Sequence, residues 1–229
     1  MNFYFDPKVK ERFPGLKVCI GSISDMHPAK EDMEGLRESV FAKVRERYSL
    51  EDLKDVSIFR AYRDFFWNIG VDPTKVRPAG EALIRRVLRG SPIPKINPIV
   101  DAYNLSSIET GIALAAFDES LIKGGNLTMR FAEPGELFKG IGMDEPMRLR
   151  GKEVVLSYAD EDSEDEKLVA IYPYRDADST KVTSDTKNVI LLSCGVPGIE
   201  DDLLEQAIVK AIDYITRFCG GTSEYKLRA

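Results

Sequence analysis

Histidine occurs once in the 229 residues, as His27, and cysteine three times, as Cys19, Cys194 and Cys219. A single imidazole excludes a histidine-rich metal site and obliges any Ser-His-Asp or Cys-His machine to be built around His27. The cysteines are odd in number, far apart and without a Cys-x-x-Cys, so they predict buried free thiols rather than a disulfide framework or a cysteine-rich metal site. No apolar run approaches the roughly 20 residues that cross a bilayer, and the N-terminal MNFYFDPKVKERFPGLK lacks the basic-then-apolar order of a secretory signal. The expected location is therefore cytoplasmic, with no membrane partner. Positive charge is not in excess either: 32 Lys and Arg against 38 Asp and Glu give a formal charge of −6. That argues against a DNA-coating protein and leaves room only for a local RNA-binding face.

Several motifs are missing as well. There is no G-x-x-x-x-G-K-[ST], no G-x-G-x-x-G between a strand and a helix, and no G-x-S-x-G elbow, which removes the common phosphate cradles and the serine-hydrolase route. His27, between Met26 and Pro28, is either a general base or a turn residue, and nothing beside it in sequence supplies a reactant for proton transfer. The acidic run Asp160–Lys167 lacks the glycine turn and distal Glu of a calcium loop, so it predicts a solvated turn between two strands. No metal and no cofactor are expected.

What is present is a hydrophobic fraction of 43% and a charged fraction of 31%, the balance of a folded chain with a sizeable core. β-formers from Leu16 to Ser24 predict a strand. Leu36, Val40, Phe41, Val44 and Tyr48 recur at helical spacing, and Ile58, Tyr62, Phe65, Phe66 and Ile69 repeat the pattern in a second helix from Ser57 to Asn68. Pro78 opens a third helix that ends at Gly90, and Ser91–Lys95 is a stiff linker. Asn97 as cap, Pro98 as first residue and Gly111 as stop define a short, largely buried helix over Asn97–Thr110. Strands are expected over Ile112–Phe117, Asn126–Ala132, Glu153–Ala159, Leu168–Tyr174 and Asn188–Ser193, and a long amphipathic helix over Gly198–Phe218. The class is α+β, with a mixed or antiparallel sheet core flanked by helices. It reads as a single domain, 1–229, with an N-terminal strand and helices over about 1–90 and a core over about 91–229.

Two segments carry polar groups where a core would be apolar. Asn97, Asp101 and Asn104 are spaced by four and three, so they share one helix face near an N-terminus, where free N–H groups favour an oxyanion, a carbonyl or a ribose hydroxyl. A capping and hydrogen-bond network explains the same spacing. Tyr172–Asn188 is dense in charged and hydroxylated residues. There Arg175 and Lys181 suit a phosphate or carboxylate and Asp176 and Asp178 suit an amino group or sugar, unless they form an ordinary Arg-Asp network.

Together these segments have a familiar order. Asn97-x-x-Val100-Asp101-x-x-Asn104-x(4)-Glu109-x-Gly111-x-x-Leu114-x-Ala116-Phe117-Asp118 resembles the N-N-V-V-D-x-T-N-x(4)-E-x-G-x-P-L-H-A-F-D signature of the editing module of the phenylalanyl-tRNA synthetase beta chain. Arg130-Phe131-Ala132-x-x-Gly135-Glu136, the strand Val155–Asp160 and Val182-Thr183-x-Asp185-Thr186-x(3)-Ile190-Leu191 continue the resemblance in order, from Asn97 to Cys194. Tyr62–Phe65, Arg77-Pro78-x-x-Glu81-Ala82-Leu83 and the Arg175–Lys181 loop resemble free-standing relatives of that module.

The resemblance implies a pocket between the Asn97 helix and the later strands, and an aminoacyl-tRNA deacylase acting in trans that hydrolyses the ester of mischarged tRNA. It implies Asn104 and Asn97 as the residues that orient ester or water, and Asp176 or Asp118 as the partner of the α-ammonium. Tyr103, Ala115, Thr180 and Leu192 would contact substrate, Arg175 and Lys181 would hold the terminal nucleotide, and Arg77, Arg85, Arg86 and Arg89 would form the tRNA face. Where the family motif has Thr, His and Glu, this chain has Tyr103, Ala115 and Leu192, which replaces a tyrosine-reading pocket with one for an apolar or small side chain. The alternative is a non-catalytic protein that uses the same pocket for tRNA or a small ligand. The amino acid, the tRNA and the oligomeric state are not specified.

Overall fold

The computed structural model describes residues 1–27, 32–159 and 166–228. In chain order its elements are β1 (Asn2–Phe5), α1 (Pro7–Arg12), β2 (Lys17–Ser24), α2 (Glu34–Arg47), α3 (Ser57–Asn68), α4 (Ala79–Leu88), α5 (Pro98–Thr110), β3 (Leu114–Asp118), β4 (Asn126–Phe131) and β5 (Leu137–Phe138). Then follow β6 (Met147–Arg148), β7 (Val154–Ala159), β8 (Glu166–Ile171), β9 (Arg175–Asp176), β10 (Val189–Gly195), α6 (Asp201–Cys219) and β11 (Thr222–Arg228). Single 3₁₀ turns lie at Asp52–Asp55, Glu119–Leu121 and Asp178–Thr180.

Two sheets carry the fold. The first has the order β1-β4-β7-β8-β9, in which β1 runs parallel to β4 and the remaining neighbours are antiparallel. The second has the order β11-β2-β10-β3 and is antiparallel throughout. Alternation along β10 assigns its two faces. Ser193 Oγ donates to Leu204 O of α6 at 2.9 Å, whereas Leu192 and Cys194 point the other way, toward Leu156 of β7 and Ala170 of β8. Thus α6 covers one face of the second sheet, and the first sheet stands against the other.

Local chemistry sets the helices. Asn97 caps α5 as its spacing predicts, its side-chain oxygen accepting from Val100 N at 2.9 Å, and Gly111 ends the helix at φ 78°. Ser106 Oγ donates to Ala207 O at 2.9 Å and locks α5 to α6. The aromatic stripe of α3 enters the core, with Tyr62, Phe65 and Phe66 buried. Helix α4 approaches α5 so closely that a Cβ on Gly80 would stand 2.5 Å from Gly111 O, which only glycine accommodates. Glu81, fully buried, accepts from both Arg63 and Arg85.

The expected helices and longer strands are all present, with ends shifted by a few residues. Not anticipated were the peripheral β1, α1 and β11 and the two-residue strands β5, β6 and β9. Of the acidic run, Glu166 and Lys167 begin β8, and residues 160–165 lie outside the described residues. All three cysteines are free and buried. His27 is exposed and its main-chain N–H donates to Cys219 O at 2.8 Å.

Candidate functional site

A cavity of about 100 Å³ lies between the two sheets. Its walls come from Ala115 of β3 and Leu192 and Cys194 of β10 on one side, and from Leu156, Ala170 and Ile171 on the other. The antiparallel register sets Leu192 directly opposite Ala115, so the two share one face and one wall. Tyr172, Pro173, Tyr174, Arg175 and Asp176 close it, and Ala79, at the start of α4, reaches its rim. The Tyr172–Pro173 bond is cis.

Asp176 is the carboxyl of this largely apolar space, beside Arg175. Although the residue keeps partial solvent contact, desolvation of its carboxyl by the surrounding protein pushes its pKa up to about 7, against the opposing pull of a hydrogen bond from Ala116 N–H. Burial, reinforced by the charges of Asp176 and Asp101, raises the Tyr103 phenol well above its ordinary range, which brings α5 into the electrostatic neighbourhood of Asp176. Burial also raises the Cys194 thiol, with Asp176 adding to it. A carboxyl held near neutrality in a small apolar cavity is the arrangement expected of a group that meets a cationic or acidic partner.

The residues singled out in the sequence divide into two sets. Ala115, Arg175, Asp176 and Leu192 line this cavity, and Tyr103 stands close enough to feel Asp176. The others do not line it. Asn97 is spent on its cap and on a 3.4 Å donation to Val182 O, and its turn borders a separate depression with Arg37 and Asp101. Asp118 is buried, accepting from Ser120 N and Ser120 Oγ on one oxygen and from Thr186 Oγ1 on the other. Three of its roughly four acceptor sites are thereby taken. Lys181 pairs with Asp178 at 2.8 Å. Thr180 is buried with its hydroxyl unpartnered among the described residues. Asn104 is half-buried and makes no side-chain hydrogen bond among them.

The α4 arginines are likewise unequal. Arg77, Arg86 and Arg89 are exposed, but Arg85 donates Nε to buried Glu81 at 2.7 Å and belongs to the packing of the helix. Arg175 lies over the Tyr174 ring, 5.3 Å from its centroid. Sequence reasoning missed Cys194 and Leu156. The signal for Cys194 was there: it follows Leu192 by two along a strand and so faces the same way.

The B3/4 domain family matches residues 61–220, and the chain belongs to that family. Among curated proteins it is similar to the phenylalanine–tRNA ligase beta subunit of Geobacter metallireducens (strain ATCC 53774 / DSM 7210 / GS-15), 33% identical over 119 residues, which are 52% of this chain and 14% of that one. It is also similar to the phenylalanine–tRNA ligase beta subunit of Protochlamydia amoebophila (strain UWE25), 30% identical over 110 residues, 48% of this chain and 13% of that one. The matched stretch is thus a small part of each relative's length. A crystal structure of an N-terminal fragment of the phenylalanyl-tRNA synthetase beta-subunit from Pyrococcus horikoshii aligns over 97% of this chain and 50% of that one, at 16% identity and a TM-score of 0.47. Among the described residues no helix is long and apolar enough to cross a membrane.

Proposed function

We propose that this chain hydrolyses the ester of mischarged aminoacyl-tRNA in trans, with the inter-sheet cavity receiving the amino acid side chain and Asp176 engaging its α-amino group. The observation that carries the reading is the carboxyl of Asp176, poised at about 7 where Ala115 and Leu192 form the wall. An ionised Asp176 pairs with the α-ammonium and fixes the acyl carbon at the cavity. Water then adds to the carbonyl carbon, the bond from that carbon to the ribose oxygen breaks, and the ribose oxygen takes a proton. An aminoacyl ester is activated, so positioning supplies much of the help it needs. Asn104, with its amide uncommitted, is the residue we assign to orienting the carbonyl or the water. Arg175 takes the terminal nucleotide, and Arg77, Arg86 and Arg89 take the tRNA backbone.

The cavity's size supports a small or apolar side chain. An aliphatic cavity of about 150 Å³ holds a benzene ring, and this one is smaller. The test is a deacylation screen against a panel of mischarged tRNAs, with Asp176→Asn beside the wild type. Turnover of alanyl-, seryl- or valyl-type esters that falls at least tenfold in Asp176→Asn supports the proposal. Preference for tyrosyl-tRNA, or no turnover of any ester, overturns it.

One observation favours a second reading, capture of a small ligand without catalysis. The candidate basic face loses Arg85 to Glu81, which leaves fewer cations for tRNA on a chain of net negative charge. Saturable binding of a free amino acid, with no ester turnover and no tRNA binding, would establish it.

A further inference from the structure

Strand β11 is the outermost strand of the second sheet, paired with β2 on one side only. Its other side makes no backbone hydrogen bond among the described residues. The opposite edge of that sheet, β3, is bridged at Phe117 by Lys181, so β11 is its open edge. Along these seven residues every second one turns its N–H and C=O away from β2, and such a row of outward groups is a template for another strand.

The sequence of β11, Thr-Ser-Glu-Tyr-Lys-Leu-Arg, selects which strand. Tyr225 pairs with Gly21, where a Cβ would meet Ile208 and Ile212 of α6, so Ser223, Tyr225 and Leu227 lie on the helix side. Glu224 and Lys226 lie on the other side, over a groove of about 300 Å³ that they line with Ile20 and Ser22. Consider two copies joined antiparallel about a twofold axis perpendicular to the sheet. Each copy must then face its partner on the same sides, and the axis must pass through a residue. Centred on Glu224, the axis sets glutamate against glutamate. Centred on Lys226, it sets lysine against lysine. Centred on Tyr225, it sets each Glu224 opposite the other copy's Lys226, twice, and stacks the two Tyr225 rings between the α6 helices. Of these three registers only this one pairs Glu224 with Lys226 in both directions without setting like charges opposite each other.

We propose that β11 is a self-recognition edge: a second copy of this chain adds its own β11 antiparallel, in register about Tyr225, and the two four-stranded sheets become one. Tyr225, 49% exposed, supplies the apolar contact, and the Glu224–Lys226 pairs supply the register.

Sedimentation velocity on the full chain over a concentration series tests it. The wild type is expected to pass from monomer to dimer, with the dimer weakened by salt. Glu224→Lys and Lys226→Glu each turn two attractive pairs into like-charge pairs, and each is expected to raise the dissociation constant about tenfold or more. Reversing both together restores it. An equimolar mixture of the two single variants forms heterodimers, since one strand then carries two lysines and the other two glutamates. Circular dichroism confirms that each variant is folded. Amide exchange of 222–228 in the wild type, slower at high concentration, reads the same edge without any substitution. A wild type that stays monomeric at all concentrations, single reversals that leave the dimer intact, or a double reversal that fails to restore it overturns the proposal.

Discussion

The Asp176 carboxyl of β9 feels the main-chain N–H of Ala116 on β3, which draws its pKa down against the larger effect of desolvation. One hydrogen bond partly offsets the desolvation of that carboxyl without cancelling it, and the group remains protonatable near neutrality.

A pH signature follows. The folded-state pKa of Asp176, about 7, lies above its ordinary value of 3.8, so the folded protein holds this proton more tightly than the unfolded chain. Its stabilisation is complete below about pH 4, falls as pH rises to about 7, and is constant above. Asp176→Asn avoids the loss: it is expected to be more stable than wild type near pH 8, by about 4 kcal/mol at most, and to match it near pH 4. Urea unfolding at the two pH values measures this. If the ionised form engages substrate, kcat/KM of the wild type rises through about pH 7 and falls again as the substrate's α-ammonium loses its proton at about pH 8, and the rise is absent from Asp176→Asn.

Leu192 sits at the centre of β10 with no solvent exposure. Leu192→Ala removes a wall of the cavity and is expected to cost about 2–5 kcal/mol, read by thermal or urea unfolding. The same change admits larger side chains, so relative turnover of leucyl- or phenylalanyl-type esters against alanyl-type esters is expected to rise. A variant with unchanged preference means that the side chain is read elsewhere.

The arginines of α4 are expected to separate into two behaviours. Arg77→Glu, Arg86→Glu and Arg89→Glu leave stability within about 0.5 kcal/mol, weaken tRNA binding and flatten its salt dependence. Arg85→Ala, which strips a partner from fully buried Glu81, instead lowers stability by about 3–5 kcal/mol. Electrophoretic mobility shifts at two salt concentrations, beside urea melts, distinguish them.

Gly80→Ala is expected to destabilise by more than the usual glycine-to-alanine gain in a helix would offset. Its Cβ would press on Gly111 O at 2.5 Å and force α4 away from α5. A melting temperature equal to or above that of wild type contradicts the close approach.

The helices were legible because each carries its own punctuation: Asn97-Pro98 and Gly111 around α5, Pro78 and Gly90 around α4, and an unbroken apolar face along α6. The long strands β7, β8 and β10 were legible from buried β-formers. Strand β11 was not, because its alternation, Glu224-Tyr225-Lys226-Leu227, is short and residues 222–226 are exposed on both sides. The start of α1 did carry a signal, in Asp6 accepting from Lys8 N just ahead of Pro7, but the helix is only six residues long. For the site, sequence order brought out Ala115, Asp176 and Leu192, which converge in space. It could not tell Asp118 from Asp176, since one carboxylate is consumed by Ser120 and Thr186 while the other is left in an apolar cavity, and only the tertiary arrangement distinguishes them.

Tyr62 lies outside the cavity, yet its hydroxyl donates to Cys194 O at 2.5 Å and accepts from Ala113 N at 3.0 Å, while Tyr172 donates to Gly195 O at 2.7 Å. The ends of β3 and β10 are therefore suspended from phenols on two separate layers, α3 and the end of β8. The gauge of the cavity is set by these struts as much as by its lining. A family built on this frame can retune which side chain it admits by altering a tyrosine in the helical layer, leaving each lining residue in place.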